Sequence, residues 1–147
     1  MADQDYVAWD DKYSTGIQLL DDQHKELLRL TNELFANCQS GEESANEAFR
    51  KIAHSTVDYV KYHFTAEEKI FEKIKYPFAA EHKKQHESFV KRVLEDVKKF
   101  EEGRHLIPHN FARFLKEWIL THIAVHDRQY ADYINTLKRK GQFNLSA

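Results

Sequence analysis

The sequence has few of the residues that interrupt helices or cross-link a chain. Its 147 residues include four glycines, two prolines and one cysteine, Cys38. Glycine and proline are the strongest local breakers of regular structure, so their scarcity favours a few long helices over many short strands. A single cysteine excludes an internal disulfide framework.

Long apolar runs and a strong net charge are also missing. No apolar run approaches the roughly 18 residues that cross a bilayer. The N-terminal stretch MADQDYVAWDDKYSTG is acidic and lacks the basic and apolar parts of a signal peptide. The formal net charge of −2 predicts no general affinity for nucleic acid or anionic membranes. We therefore expect a cytoplasmic protein that binds neither nucleic acid nor membrane.

Apolar residues recur every three or four positions in four segments, which is typical of amphipathic helices. The first helix is predicted to be capped by Asp21 or Asp22 and to carry Cys38 on its buried stripe, and Phe78 and Val125 are placed on later stripes. The remaining helices are predicted over about 43–74, 78–102 and 109–138. The predicted fold is all-α, an antiparallel up-down-up-down four-helix bundle over 21–140, with an irregular N-terminal arm over 1–20 and a tail over 141–147.

The chain has nine histidines, and some of them are regularly spaced. His63 and Glu67, and His82 and His86, are pairs four residues apart, which share one face of a helix. A lone histidine on an apolar stripe is most often a hydrogen-bonded core residue. In the predicted bundle, however, seven such residues converge on one layer, and without a metal they would be costly to bury. They are His24, His63, Glu67, His82, His86, His122 and Asp127.

The composition of this layer restricts the choice of metal. Five imidazoles and two carboxylates without a thiolate suit iron, manganese, cobalt or zinc. Seven protein ligands exceed what one such ion accepts, so two ions that share carboxylate bridges are the simpler interpretation. Donor chemistry alone leaves the metal open.

At these residues the chain resembles the hemerythrin family, and more specifically the bacteriohemerythrins. The resemblance covers nearly the whole chain and is carried by four motifs and the aromatic arm around Trp9. The motifs are DDQHKEL, HFTAEE, HKKQH and HIAVHD. It implies a non-haem di-iron centre with an oxo or hydroxo bridge, and a protein that binds dioxygen reversibly and is not an enzyme.

The resemblance also implies a role for each predicted ligand. Glu67 and Asp127 would bridge the two irons. One iron would be held by three histidines and be six-coordinate, and the other would be held by two histidines with one position open for dioxygen. The first set is His82, His86 and His122, and the second is His24 and His63. The pocket for dioxygen would be lined by Leu27, Phe64, Trp118, Ile119 and Ile123.

Spacing and resemblance disagree on the fourth helix. Residues 122 and 127 are five apart and diverge on an ideal α-helix, so spacing alone selects His126. The family pattern selects Asp127, which a local π-type widening would bring inward. His54, His105 and His109 fit no ligand position, and Glu68 is interpreted as a solvated or supporting carboxylate.

Three functions remain open at this stage. The first is storage, delivery or scavenging of dioxygen. The second is an oxygen or redox sensor module, with a signalling domain as partner if the chain is a fragment. The third is a peroxidase or nitric-oxide-reducing enzyme. Ferritin-like oxidases carry two E-x-x-H pairs, whereas this chain has one, Glu102 to His105, interrupted by Gly103.

Overall fold

The computed structural model describes residues 6–104 and 106–144, and these residues are mostly helical, with a short 3-10 helix (Asp11–Tyr13) in the N-terminal arm. Residues 1–5 of the predicted arm, His105, and residues 145–147 of the predicted tail lie outside the described residues. The first three helices are α1 (Gln18–Cys38), α2 (Glu42–Ile74) and α3 (Ala79–Glu101). The fourth consists of α4 (Pro108–Thr121), a π-helix (His122–Asp127) and α5 (Arg128–Arg139) in direct succession. Four helices were predicted, and the described residues form four long helices.

The few glycines and prolines lie where the helices end. Gly41 precedes α2 with a φ of 110°, a conformation that residues with a Cβ rarely adopt. Pro108 is placed at the start of α4, where its missing N–H would lack an intrahelical acceptor in any case. None of the described helices is both long and apolar enough to cross a membrane.

The start of the first helix differs from the prediction. It begins at Gln18, three residues before the predicted cap, so residues 18–20 of the predicted arm are helical. Asp21 lies inside the first turn and is buried, and its carboxylate accepts hydrogen bonds from the Thr15 N–H at 2.7 Å and the Ser14 hydroxyl at 2.5 Å. The side chain therefore fixes the segment that enters the helix instead of capping the helix itself.

Two apolar clusters fill the interior. The smaller cluster contains Leu20, Ile70, Phe71, Ile74, Tyr76, Tyr130 and Ile134. The larger one contains, among others, Leu27, Phe64, Phe89, Ile119 and Ile123. Along the sequence of α1, α2 and the fourth helix, the predicted metal ligands lie between residues of the smaller cluster and residues of the larger cluster. The structure is thus an apolar bundle interrupted by one polar layer.

Two residues predicted to face the interior do not. Phe78 is 51% exposed because it precedes α3 as its N-cap residue and is not part of the helical stripe. Val125 is 53% exposed because the wider π-helix directs its neighbours His122 and Asp127 inward and leaves Val125 on the outer side. Cys38 is half-buried, not fully buried as expected, because it is the last residue of α1.

The described part of the arm lies against α1. The Val7 N–H donates to Asn32 Oδ1 at 2.9 Å, and Asn32 Nδ2 donates back to the Val7 carbonyl at 2.8 Å. The Tyr6 ring stacks on Phe35 at 3.8 Å between centroids. A single side chain therefore pairs with both backbone groups of Val7, as a neighbouring strand would.

Phe49 tests the importance of the larger cluster. It is 1% exposed and contacts Phe100 and Phe111 at centroid distances of 4.6 and 5.0 Å. Phe49→Ala should lower the free energy of unfolding by about 3–5 kcal/mol, because it leaves a cavity between three helices. The matched change Phe78→Ala should cost at most about 0.5 kcal/mol. Urea unfolding of both metal-free variants measures this, and equal losses would contradict the described core.

Candidate metal centre

The structure brings all seven predicted ligands into one buried layer. Each is no more than 3% exposed. They come from every helix of the bundle: His24 from α1, His63 and Glu67 from α2, His82 and His86 from α3, and His122 and Asp127 from the π-helix. We call His82, His86 and His122 the three-histidine side, and His24 and His63 the two-histidine side.

Glu67 directs its two carboxylate oxygens to different sides of this layer. Its Oε1 lies 3.0 Å from His86 Nε2 and 3.5 Å from His82 Nε2. Its Oε2 lies 3.6 Å from the Nε2 atoms of both His24 and His63. One carboxylate is therefore shared between the two sets of imidazoles.

Asp127 divides its oxygens in the same way. Its Oδ1 lies 3.0 Å from His82 Nε2 and 3.1 Å from His122 Nε2, both on the three-histidine side. Its Oδ2 lies 2.9 Å from His24 Nε2 on the other side. Two carboxylates placed in this way can each bridge two cations.

The π-helix explains how Asp127 reaches the centre. The segment His122–Asp127 forms hydrogen bonds five residues apart, so residues 122 and 127 lie about one turn from each other. Both side chains are buried, while His126 is only partly so. The local widening expected from the family pattern is present, and the preference for His126 from ideal spacing is wrong for this backbone.

Several buried polar atoms of this layer lack hydrogen-bond partners within the described residues. They are the Nε2 atoms of His24, His63 and His82, Oε1 of Glu67, and both carboxylate oxygens of Asp127. Unsatisfied buried groups of this number are rare in proteins. Nitrogen and oxygen atoms of these side chains approach each other within 2.9–3.6 Å and converge as ligands around shared ions do. The residues therefore fit a metal site.

The donor atoms form two overlapping groups with dimensions suited to two ions. Glu67, His82, His86 and His122 each offer one atom, and these atoms lie within 4.8 Å of one another. His24, His63 and Glu67 form a second such group. The groups share only Glu67, which is the arrangement that a bridged pair of metals requires.

Charge in the layer also favours cations. Burial disfavours charge on Glu67 and Asp127, but the surrounding histidines hold the pKa of both carboxyls well below their usual range. Burial likewise works against charge on His24 and His82, yet the two carboxylates raise their pKa values to about 10 and about 9. Burial prevails at His63 and lowers its pKa to about 3. Any metal ion that binds here must compete with protons for these imidazoles.

Three side chains outside the ligand set bind to it. His63 Nδ1 pairs with Gln23 Oε1 at 2.7 Å, and His86 Nδ1 pairs with Glu68 Oε2 at 3.2 Å. The hydroxyl of Tyr130, fully buried, donates to Glu67 Oε2 at 2.6 Å. Neither Gln23 nor Tyr130 was predicted from the sequence. Tyr130 follows Asp127 by three residues, but the resulting contact with Glu67 spans two helices and has no local signal.

The residues predicted to line an oxygen pocket are buried, except Trp118, which is half-buried. Phe64 stacks on His86 at 3.6 Å between centroids, and Trp118 stacks on His122 at 4.5 Å. Both rings therefore cover the three-histidine side. Leu27, Ile119 and Ile123 belong to the larger apolar cluster that borders the layer.

The other histidines of the described chain lie apart from the ligand set. His54 is exposed beside Glu101, and His109 contacts Phe35 at the far end of the bundle. His126 pairs with Gln85 at 3.0 Å, next to the layer but outside it.

Comparisons with known proteins agree with this geometry. The sequence model described as the Hemerythrin HHE cation binding domain matches residues 15–134. Bacteriohemerythrins from Stenotrophomonas maltophilia and Pseudomonas aeruginosa are 34% and 35% identical, over 87% and 88% of this chain and 81% and 82% of theirs. A wild-type hemerythrin crystal structure superposes with a TM-score of 0.79 at 28% identity, covering 86% of this chain and 96% of that one.

Metal analysis of two neighbouring variants tests the position of Asp127. Asp127→Ala removes a carboxylate that faces both sides and should reduce the bound metal from about two ions per chain to one or fewer. His126→Ala, the matched control, should retain the wild-type content because His126 faces Gln85. The opposite ranking, or one ion in fully reconstituted wild type, would contradict a shared two-metal centre.

Proposed function

The chain belongs to the hemerythrin family, which binds dioxygen at a di-iron site, and on that premise we propose that this protein holds two iron ions and binds dioxygen reversibly. The observation that carries the proposal is the division of the oxygens of Glu67 and Asp127 between two histidine sets. Storage, delivery or scavenging of dioxygen is the role that follows.

The proposed ligand roles follow the geometry of the layer. Glu67 and Asp127 would each bind both ions, the three-histidine side would hold one ion, and His24 and His63 would hold the other. Since the second side has one imidazole fewer, it would leave a coordination position free for dioxygen. An iron pair with an oxo or hydroxo bridge, bound here, would supply the two electrons that reversible binding of dioxygen requires.

The protein's own contribution is to keep this position dry. Leu27, Ile119 and Ile123 are each no more than 3% exposed and carry no group that ionises or donates a proton. An apolar lining slows proton delivery, and proton delivery is what general acid catalysis of further reduction would need. This supports reversible binding over catalytic turnover.

We also propose the order of the helices, the division of the chain and its location in the cell. The up-down-up-down order is supported by contacts between opposite helix ends: Phe49 near the start of α2 meets Phe100 near the end of α3. The division into an arm, a bundle over about 21–140 and a short tail is retained, with helix from Gln18. A cytoplasmic location, with no nucleic-acid or membrane partner, is likewise proposed.

An optical titration tests the function directly. The anaerobically reduced, iron-loaded protein should gain a charge-transfer band in the visible range when air is admitted and lose it when oxygen is removed. Protein loaded with zinc should show no band, because zinc has no accessible redox change. Irreversible bleaching of the iron protein, with no band that responds to oxygen removal, would contradict reversible binding.

Ile119 tests the proposed pocket. Ile119→Ala should cost about 2–5 kcal/mol of stability and speed autoxidation, because it opens a buried apolar wall to water. Ile119→Glu introduces a carboxylate that can occupy the open position, and it should abolish dioxygen binding while iron content is largely kept. Leu115→Ala, another buried change one turn earlier in α4, controls for lost packing.

Stopped-flow mixing of each reduced variant with dioxygen gives the binding and autoxidation rates. If Ile119→Ala and Ile119→Glu behave like Leu115→Ala, then Ile119 is an ordinary core residue and the open position lies elsewhere.

A further inference from the structure

The two histidine sides differ in what supports them from behind. On the three-histidine side, His86 Nδ1 lies 3.2 Å from a carboxylate oxygen of Glu68. On the two-histidine side, His63 Nδ1 lies 2.7 Å from the amide oxygen of Gln23. An anion therefore supports one imidazole, and a neutral group supports the other.

Both contacts fix the imidazole so that Nε2 faces the centre. An ionised carboxylate can only accept, so His86 Nδ1 carries the proton and donates it, and Nε2 keeps its lone pair. The amide oxygen of Gln23 can also only accept a hydrogen bond. His63 Nδ1 therefore donates to it, and His63 Nε2 keeps its lone pair. Hydrogen bonds of this kind orient metal-binding histidines and raise their basicity, and an anionic acceptor does so more strongly.

Tyr130 adds to this asymmetry by weakening electron donation on the two-histidine side. Its hydroxyl donates at 2.6 Å to Oε2 of Glu67, the oxygen that faces His24 and His63. Donation to this oxygen draws electron density away from the two-histidine side. The other oxygen, Oε1, has no such donor among the described residues.

We propose that Glu68 is a positioning residue that makes the three-histidine side the stronger electron donor, while Gln23 and Tyr130 leave the two-histidine side the weaker one. The proposal rests on the proposed function and deepens it. An ion on the three-histidine side is held more tightly and is stabilised in the ferric state. An ion on the two-histidine side would give up its electron less readily.

The contact between Glu68 and His86 is accessible to solvent. Its side chain is 31% exposed and lines a surface groove of about 600 Å³ between α2 and α3, together with Glu87. Glu87 is an exposed carboxylate on the same groove, next to His86 in sequence, and no contact joins it to a predicted ligand. It therefore separates the effect of the negative charge on the acceptor of His86 from the general effect of removing a nearby negative charge.

The experiment compares Glu68→Gln with Glu87→Gln in the full-length iron-loaded protein. Glutamine keeps an acceptor for His86 but removes the charge. Anaerobic titration with ferrous ion gives stepwise affinities, and potentiometry with optical detection gives midpoint potentials. Removal of a supporting partner of this type costs roughly 10–100-fold in metal affinity. We expect a loss near the lower end of this range, with a raised midpoint potential, for Glu68→Gln only.

The size of the potential shift follows from the affinities. A tenfold loss in the preference for ferric over ferrous ion corresponds to about 59 mV for a one-electron couple. Gln23→Glu tests the opposite change. It places an anion behind His63 and should lower the midpoint potential. Circular dichroism before metal loading shows whether each variant has folded.

Each outcome decides the proposal. Equal potentials for Glu68→Gln, Glu87→Gln and wild type would overturn it. A loss of metal without any change in potential would show that Glu68 only holds His86 in place, and would overturn the electronic role. If wild type holds two ions but fails to bind dioxygen reversibly, the proposed function fails, while the contrast between Glu68→Gln and Glu87→Gln still tests the asymmetry.

Discussion

The structure depends on the neutralisation of two carboxylates buried in the middle of a helical bundle. In the described part of the chain, the ion-pair partners of Glu67 and Asp127 are all histidines. Removing an ionised group from water costs several kcal/mol, which only close opposite charge recovers. The raised pKa values of His24 and His82 favour such charge beside the carboxylates, and two shared cations would also supply it. The layer therefore selects for positive charge before any question of chemistry arises.

The remainder of the bundle isolates and orients this layer. Apolar clusters lie on both sides of it, so water has little access and the electrostatic attraction is weakly screened. Phe64 and Trp118 stack directly on the imidazoles of two predicted ligands, His86 and His122, and limit their rotation. Gln23, Glu68 and Tyr130 fix the outer atoms of the same set by hydrogen bonds. A gas-binding function suits such a site, because dioxygen needs no polar recognition and an apolar lining does not exclude it.

Much of the fold and most of the site could be predicted because they depend on local periodicity. Pairs such as His63 with Glu67 share a helix face through backbone geometry alone, and the helix ends lie near Gly41 and Pro77, where the chain must leave the helix. Errors arose where tertiary contacts override local preference. Asp21 looks like a cap but instead binds Thr15, and Val125 fits an α-helical stripe that the π-helix displaces. Ideal spacing also selected His126, and only the resemblance to a family pattern pointed to Asp127.

The sequence by itself determined which residue types occupy most helix faces, how many helices form, and that five imidazoles and the carboxylate of Glu67 share one stretch of the bundle. These properties follow from the 3.6-residue period and from side-chain chemistry, both of which are local. The tertiary structure alone decided which oxygen of Glu67 faces which histidine, that Tyr130 reaches Glu67 across 63 positions of sequence, and that Glu68 and Gln23 support opposite sides. Such pairings depend on the rotation and axial shift of one helix against another. Packing of the whole core sets those quantities, and no single segment encodes them.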